Sequence, residues 1–402
     1  MPATNSQSRA SEGIGLILLP IMTAVFAGFL IIGLALPVLP LHVQHSLGFG
    51  SFVVGLVAGS QFAASLISRV WAGAYADKRG AKSGVVIGLL AAAVSGLLYL
   101  LSLAFIDFPT LSVTILLLGR ALLGGAESFI ITGGVAWGLA LVDARSAGRV
   151  IAWVGTAMFT AMAVGGPIGT FFYARAGFAA IALVTTAVPL LVLASLILIP
   201  AAPLSEKRHR SSFRDVAGAV WLPGLGAAFS SVGYGAILAF SSLLFTDRGW
   251  HPIWLAFSAF GAALVVARLV FGHLPDHHGG ARIALIFICV LAAGLALIWW
   301  ANSGLMAAVG SALAGFGYSL IYPGLGSEVV RAVSPENRGR AMGLYTAFLD
   351  LALGLGTPVL GWIADQTGIA SIFLVSASVA LTAIGTTLRL VKTQQIPATP
   401  AQ

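Results

Sequence analysis

The sequence predicts an all-α membrane protein, twelve transmembrane helices arranged as two pseudo-symmetric six-helix bundles. Three observations predict it. The chain has 402 residues, 58% hydrophobic and only 8% charged, with a mean hydropathy of +0.99. A soluble domain carries about a quarter charged residues, so this chain lacks the polar surface a water-facing globule needs. Apolar runs of bilayer-crossing length recur from end to end, and the second half repeats spaced features of the first.

A helix that crosses the hydrocarbon core needs about 20 mostly apolar residues. Charges, Gly/Pro and polar clusters divide the first half into spans near 14–39, 51–75, 83–106, 112–138, 149–173 and 178–200. The second half divides near 219–245, 253–274, 281–301, 305–330, 340–363 and 369–391. Residues 1–200 are thus an N-terminal bundle and 219–402 a C-terminal bundle. Between them, 201–218 form a linker holding the longest charged stretch, AAPLSEKRHRSSFRD. The polar start, MPATNSQSRASEG, leads into an apolar run with no small-residue cleavage site, so the first run is a retained helix.

The basic residues set the orientation. With the N-terminus in the cytoplasm, 16 of the 21 Lys and Arg fall in cytoplasmic segments, with Arg175 and Arg248 outside and Arg69, Arg120 and Arg268 inside spans. Losing one span would reverse every later loop, so the bias supports twelve spans with both termini inside. It also disposes of nucleic acid as a partner, because the net charge of +8 is topological. The lone Cys289 forms no internal disulfide. The adjacent His277-His278 lack helical ligand spacing, and no metal or cofactor is expected.

Shifted by 199 positions, RVWAGAYADKRG (69–80) meets RLVFGHLPDHHG (268–279): Arg69 falls on Arg268, Gly73 on Gly272, Asp77 on Asp276 and Gly80 on Gly279. A shift of 191 brings GRALLG (119–124) onto GSALAG (310–315), Ser128 onto Ser319, Gly148-Arg149 onto Gly339-Arg340 and Pro167 onto Pro358. Matches in chain order at two related shifts make the halves parallel structural repeats.

Two parallel six-helix repeats resemble the major facilitator superfamily. The loop Gly73-x3-Asp77-Lys78-Arg79-Gly80, with Lys82, is similar to that family's signature between spans two and three; in the second copy His277 and His278 replace the bases. Gly119-Arg120 resembles the arginine motif of proton-coupled members, and Gly166-Pro167-x-Gly169 part of the motif of drug–proton antiporters. GRVIAW and AFLDLALG resemble bacterial inner-membrane permeases of the YhhS kind. The resemblance implies a cytoplasmic latch: Asp77 at the start of span eleven, Gly339-Arg340, and its mirror Asp276 at Gly148-Arg149. An acid is stabilised at a helix N-terminus.

A charge at mid-bilayer costs about 2.5–3.5 kcal/mol on insertion scales, so Arg120 and Glu127 in span four and Asp350 in span eleven are candidates for function. Arg120 and Glu127, seven residues apart, share a helix face about 10 Å apart, too far for a tight ion pair without a third group. The resemblance makes spans one, four, seven and ten line the cavity, adding Tyr234, Tyr318 and Tyr322. Gly166, Pro167, Gly169 and Pro358 are read as helix-packing positions. No Gly-x4-Gly-Lys-[Ser/Thr] phosphate loop supports direct ATP drive. No clustered nucleophile and base supports an enzyme. The expectation is a monomeric, proton-coupled exporter of a small organic molecule in the bacterial inner membrane, among lipid. Uptake by symport or facilitation, and a non-transporting sensor, are the alternatives.

Overall fold

The computed structural model describes residues 3–142, 147–196, 213–334 and 337–394, and all regular structure among them is helical. Of the predicted linker, 201–212 lie outside the described residues, while 213–218 already form the first turns of span seven, Phe213–Asp247. Among the described residues, ten helices are long and apolar enough to cross a membrane. One of them holds two predicted spans. Ala147–Leu196 runs through spans five and six, and Ala176 (φ −139°, ψ 18°) and Gly177 (φ 64°, ψ −162°) leave helical geometry where the two were expected to part. Span eight is a shorter apolar helix, Leu255–Phe271.

The repeated loops show how one residue type changes an ending. Span two is a single helix, Ser51–Arg79, that runs straight through Gly73 and Asp77. In the second copy the helix stops at Phe271, and the chain restarts as the short helix Leu274–His278 with Pro275 in its first turn. Proline has no N–H to extend the earlier ladder, but costs nothing in a first turn, where that N–H is unpaired anyway. Both copies then close on a glycine with positive φ, Gly80 at 94° and Gly279 at 88°. That backbone conformation suits glycine and explains why it ends both motifs.

The chain folds into two compact units, Met1–Ala35 with Ala64–Lys207, and Leu36–Ala63 with Arg208–Gln402. Their internal packing repeats. In the first, span three packs most extensively along span four and also against span six; in the second, span nine, Gly280–Trp299, packs along span ten, Gly304–Ala332, and against span twelve, Ser371–Gln394. Small residues permit these approaches in the absence of a hydrophobic drive between lipid-solvated helices. A Cβ on Gly88 would lie 2.9 Å from the Ala126 carbonyl oxygen of span four, and one on Gly294 2.6 Å from the Gly310 carbonyl oxygen of span ten.

The second unit also contains the end of span one and the first half of span two. Residues Leu39–Leu41 and the π-helical turn His42–Ser46 lead into it. Span two then lies against span eleven, Arg338–Thr367: the Thr357 hydroxyl donates to the Gly55 carbonyl at 3.0 Å. A Cβ on Gly55 would come within 2.8 Å of Pro358 Cα. Pro358 thus sits at a tight two-helix contact.

Candidate functional site

In the first unit, span four, Pro109–Ala140, carries polar groups to two different neighbours. Ser128 Oγ bonds Ser65 Oγ of span two at 2.9 Å and donates to the Ser65 carbonyl, while Arg69 Nη2 donates to Ser65 Oγ at 3.2 Å. Glu127, half-buried, directly precedes Ser128. Arg120 turns towards span three. Its side chain is wholly buried, Nη1 lies 3.5 Å from Tyr99 Oη, and Tyr99 packs on Phe178 of span six. Among the described residues, Arg120 Nε and Nη2 have no hydrogen-bond partner and Arg120 makes no ion pair. The polar group that Arg120 reaches is thus a phenol of span three.

The second unit gathers most of the remaining candidates into one cluster. Tyr234 of span seven stacks on Tyr318 of span ten, centroids 4.8 Å apart, and on Phe260 of span eight at 5.5 Å. The Tyr318 hydroxyl shares a 2.8 Å hydrogen bond with Ser231 Oγ. One turn along, Tyr322 Oη bonds Thr346 Oγ1 of span eleven, and the Tyr345 hydroxyl donates to the Tyr322 carbonyl at 2.8 Å. Asp350 of span eleven is 1% exposed, and Arg268 of span eight reaches the carbonyl of Ser319, next to Tyr318 in the chain.

Arg268 is the member that sequence reasoning passed over, counted there as a charge in a span and as a repeat landmark. A local signal for it exists. Pro323 interrupts span ten and removes the N–H that would satisfy the carbonyl four residues earlier. That carbonyl belongs to Ser319, and Arg268 Nη2 donates to it at 3.2 Å. Inside a bilayer a backbone acceptor freed by proline must find such a substitute. Arg69 and Arg268, matched by the repeat, thus both reach polar groups inside their own units.

The latch residues divide differently. Asp77, Arg79, Asp276 and Arg340 are all exposed, as is Gly272, while Gly73 and Gly80 are half-exposed. A Cβ on Gly73 would meet nothing within 4 Å, whereas one on Gly272 would strike the Arg268 carbonyl at 2.3 Å. The Arg149 side chain lies outside the described residues. The span-five motif is closely packed: Cβ atoms on Gly165 and Gly169 would lie 2.7 Å from Gly33 C and 2.1 Å from the Leu34 carbonyl oxygen of span one. Thr170, beside it, returns its hydroxyl to the Gly166 and Pro167 carbonyls, both at 3.0 Å.

Comparison with known proteins agrees with this architecture. The sequence profile of the Major Facilitator Superfamily matches residues 21–256 and again 224–401. An uncharacterized MFS-type transporter of Salmonella typhimurium is 40% identical over 381 residues, covering 95% of this chain and 97% of the relative. The uncharacterized MFS-type transporter YhhS of Escherichia coli is 39% identical over 368 residues, covering 91% and 90%. Among solved structures, a D-xylose-proton symporter superposes with a TM-score of 0.76 at 14% identity, covering 92% of this chain and 96% of that one. A bacterial homolog of the human lysosomal transporter Spinster, inward-facing and occupied, gives 0.75 at 15% identity, covering 96% and 99%. At such identities these two structures speak to the fold alone.

Proposed function

The chain belongs to the Major Facilitator Superfamily, a family of membrane transporters, and from that premise we propose that it exports a small organic molecule by alternating access, coupled to protons moving inwards. The observation that carries the coupling is Glu127, a half-buried carboxyl well inside span four. A carboxyl in that setting must be neutralised by a proton or by a cation, and a group held between the two can exchange its proton as helices rearrange. Asp350, buried in the other unit, is the second candidate carrier. Export is favoured by the close seating of Gly165 and Gly169 on span one, the position that the antiporter motif occupies.

The topology proposed with it places both termini and the linker in the cytoplasm of the inner membrane. The latch proposed with it pairs Asp77 with the start of span eleven and Asp276 with the start of span five.

The test is flux in proteoliposomes against a panel of organic acids, amines, sugars and nucleosides, with and without an imposed pH gradient. Gradient-stimulated export that disappears in Glu127→Gln, while gradient-free counterflow persists, supports the reading. Full gradient-driven flux in Glu127→Gln sinks the role of Glu127, and stimulation only of uptake replaces export by symport.

A further inference from the structure

The two repeated loops differ in the kind of charge they carry. Where the first copy has Ala74, Lys78 and Arg79, the second has His273, His277 and His278 at the matching positions. Fixed bases are exchanged for groups that gain and lose their charge, since histidine is the side chain that ordinarily titrates between about pH 5 and 8. All three imidazoles are exposed, on and beside the short helix Leu274–His278. Counting them with Asp276, protonation takes the segment 273–278 from one negative charge to as many as two positive.

The fold brings two of these groups together. The turn at Gly272-His273 sets the His273 ring edge-on to the His277 ring, with centroids 5.9 Å apart. Two neutral imidazoles are good neighbours there, but two imidazoliums repel. The surroundings offer little to offset that repulsion. The short helix packs on spans nine and ten, whose charged side chains are Arg282, Glu328 and Arg331, and span eight before it carries Arg268. Glu328 accepts the Ala281 N–H at 3.1 Å and lies 3.7 Å from Arg331, so Asp276 is the acid left to the histidines. The helix itself is held lightly. Pro275 is its buried residue, the Asp276 N–H donates to the His273 carbonyl at 3.2 Å, and Gly279 ends it at a φ of 88°. Five residues are far fewer than a helix needs to stand alone, so repulsion across its one turn acts on a weak element.

We propose that the loop between spans eight and nine is a pH sensor, facing the cytoplasm by the proposed topology, in which acid charges the His273–His277 pair and loosens the short helix. Asp276 rides on that helix, so the second copy of the latch is the element on which the sensor acts, whereas the first copy, with its fixed bases, stays indifferent to pH. The loosening itself depends on neither transport nor coupling, and its test uses neither.

Leu274→Cys, half-exposed on the short helix, reports the loop in a Cys289→Ala background. The purified full chain in detergent is labelled with a maleimide at about pH 5.5 and about pH 7.5, on either side of the histidine range. Each rate is divided by that of the same chain carrying His273→Gln, His277→Gln and His278→Gln, which cancels the reagent's own pH dependence. The ratio is expected to be near one at the higher pH and about three-fold at the lower, the factor for two unit charges ~6 Å apart in water. It should shrink in about 1 M salt, which screens such a pair. His273→Gln alone removes one ring of the pair and should abolish most of the effect; it also serves if the triple variant does not fold. Tyr75→Cys, at the matching position of the first copy, should label without regard to the histidines. A ratio of one at both pH values overturns the proposal, and so does an equal rise at Tyr75→Cys, which would mean that the whole chain opens in acid.

Discussion

The carboxylate of Asp365 accepts the backbone N–H of Ser51 at 2.7 Å through one oxygen, and that of Phe52 at 2.9 Å through the other. One side chain near the end of span eleven thereby satisfies two of the four N–H groups that the first turn of span two leaves without helical partners. The charge also meets the positive end of the helix dipole. Gly361, one turn earlier, lets the backbones meet, since a Cβ there would lie 2.2 Å from the Ser51 carbonyl oxygen. By the proposed topology this is the outer end of both spans, and the contact clasps them together there.

Asp365→Asn keeps one acceptor and removes the charge, and should weaken this contact by about 1–2 kcal/mol. In a Cys289→Ala background, Ser51→Cys should react with a membrane-impermeant maleimide about 5–30 times faster when Asp365 is also changed, since such an energy corresponds to that ratio. Unchanged labelling would reduce Asp365 to an ordinary helix-end acid.

The glycines of the two sequence motifs should separate cleanly in stability. Gly169→Ala drives a Cβ to 2.1 Å from the Leu34 carbonyl oxygen, a backbone atom that cannot swing away. A loss of about 1–3 kcal/mol is expected from such overpacking. Gly73 lies inside a continuous helix with nothing within 4 Å of a Cβ, so Gly73→Ala should be neutral or gain up to ~1 kcal/mol. Thermal unfolding in detergent, followed by intrinsic tryptophan fluorescence, compares the two. Equal losses would mean that the span-five motif does not depend on close packing.

Much of the fold was legible because lipid imposes coarse rules. Apolar length gave the spans, and the repeat shifts paired Gly80 with Gly279, which turn out to share a positive φ. The site was less legible. Arg120 and Glu127 share a helical spacing, but spacing cannot say which neighbouring helix each side chain meets, and Arg120 goes to Tyr99. Arg268 was hidden because its partner is a backbone carbonyl, which carries no residue-type signal; only Pro323 marks it. Asp365 was missed for a similar reason. Its partners are backbone N–H groups more than 300 positions away, and no side-chain pattern at Ser51-Phe52 announces them.

The two latch acids should not be equivalent. Asp77 sits in the last turn of a continuous helix beside Lys78 and Arg79, so its position is set by the whole of span two. Asp276 rides on the short helix Leu274–His278, separated from span eight by the break at Gly272-His273. Asp77→Asn should therefore lower transport by about five-fold, of the order of one helix-end charge interaction of ~1 kcal/mol, and Asp276→Asn by less. Initial flux rates normalised to reconstituted protein decide this. Equal, negligible effects would leave both loops as plain helix endings.

Arg120 offers the sharpest separation of stability from function. Its side chain is wholly buried, Nη1 meets the Tyr99 phenol at the long limit of a hydrogen bond, and Nε and Nη2 have no partner among the described residues. Burying a cation without a counter-ion is expensive, and replacing such a group by an apolar side chain of similar length is often neutral or stabilising by about 1–4 kcal/mol. A residue kept only for the fold would not be built this way. Arg120→Met should therefore hold or raise the thermal midpoint in detergent while abolishing gradient-driven flux. Tyr99→Phe, which removes only the phenol oxygen, should weaken transport less. If Arg120→Met unfolds the protein, the guanidinium is structural after all. If it is stable and transports normally, span four's arginine has no part in coupling, and Glu127 and Asp350 carry the proton without it.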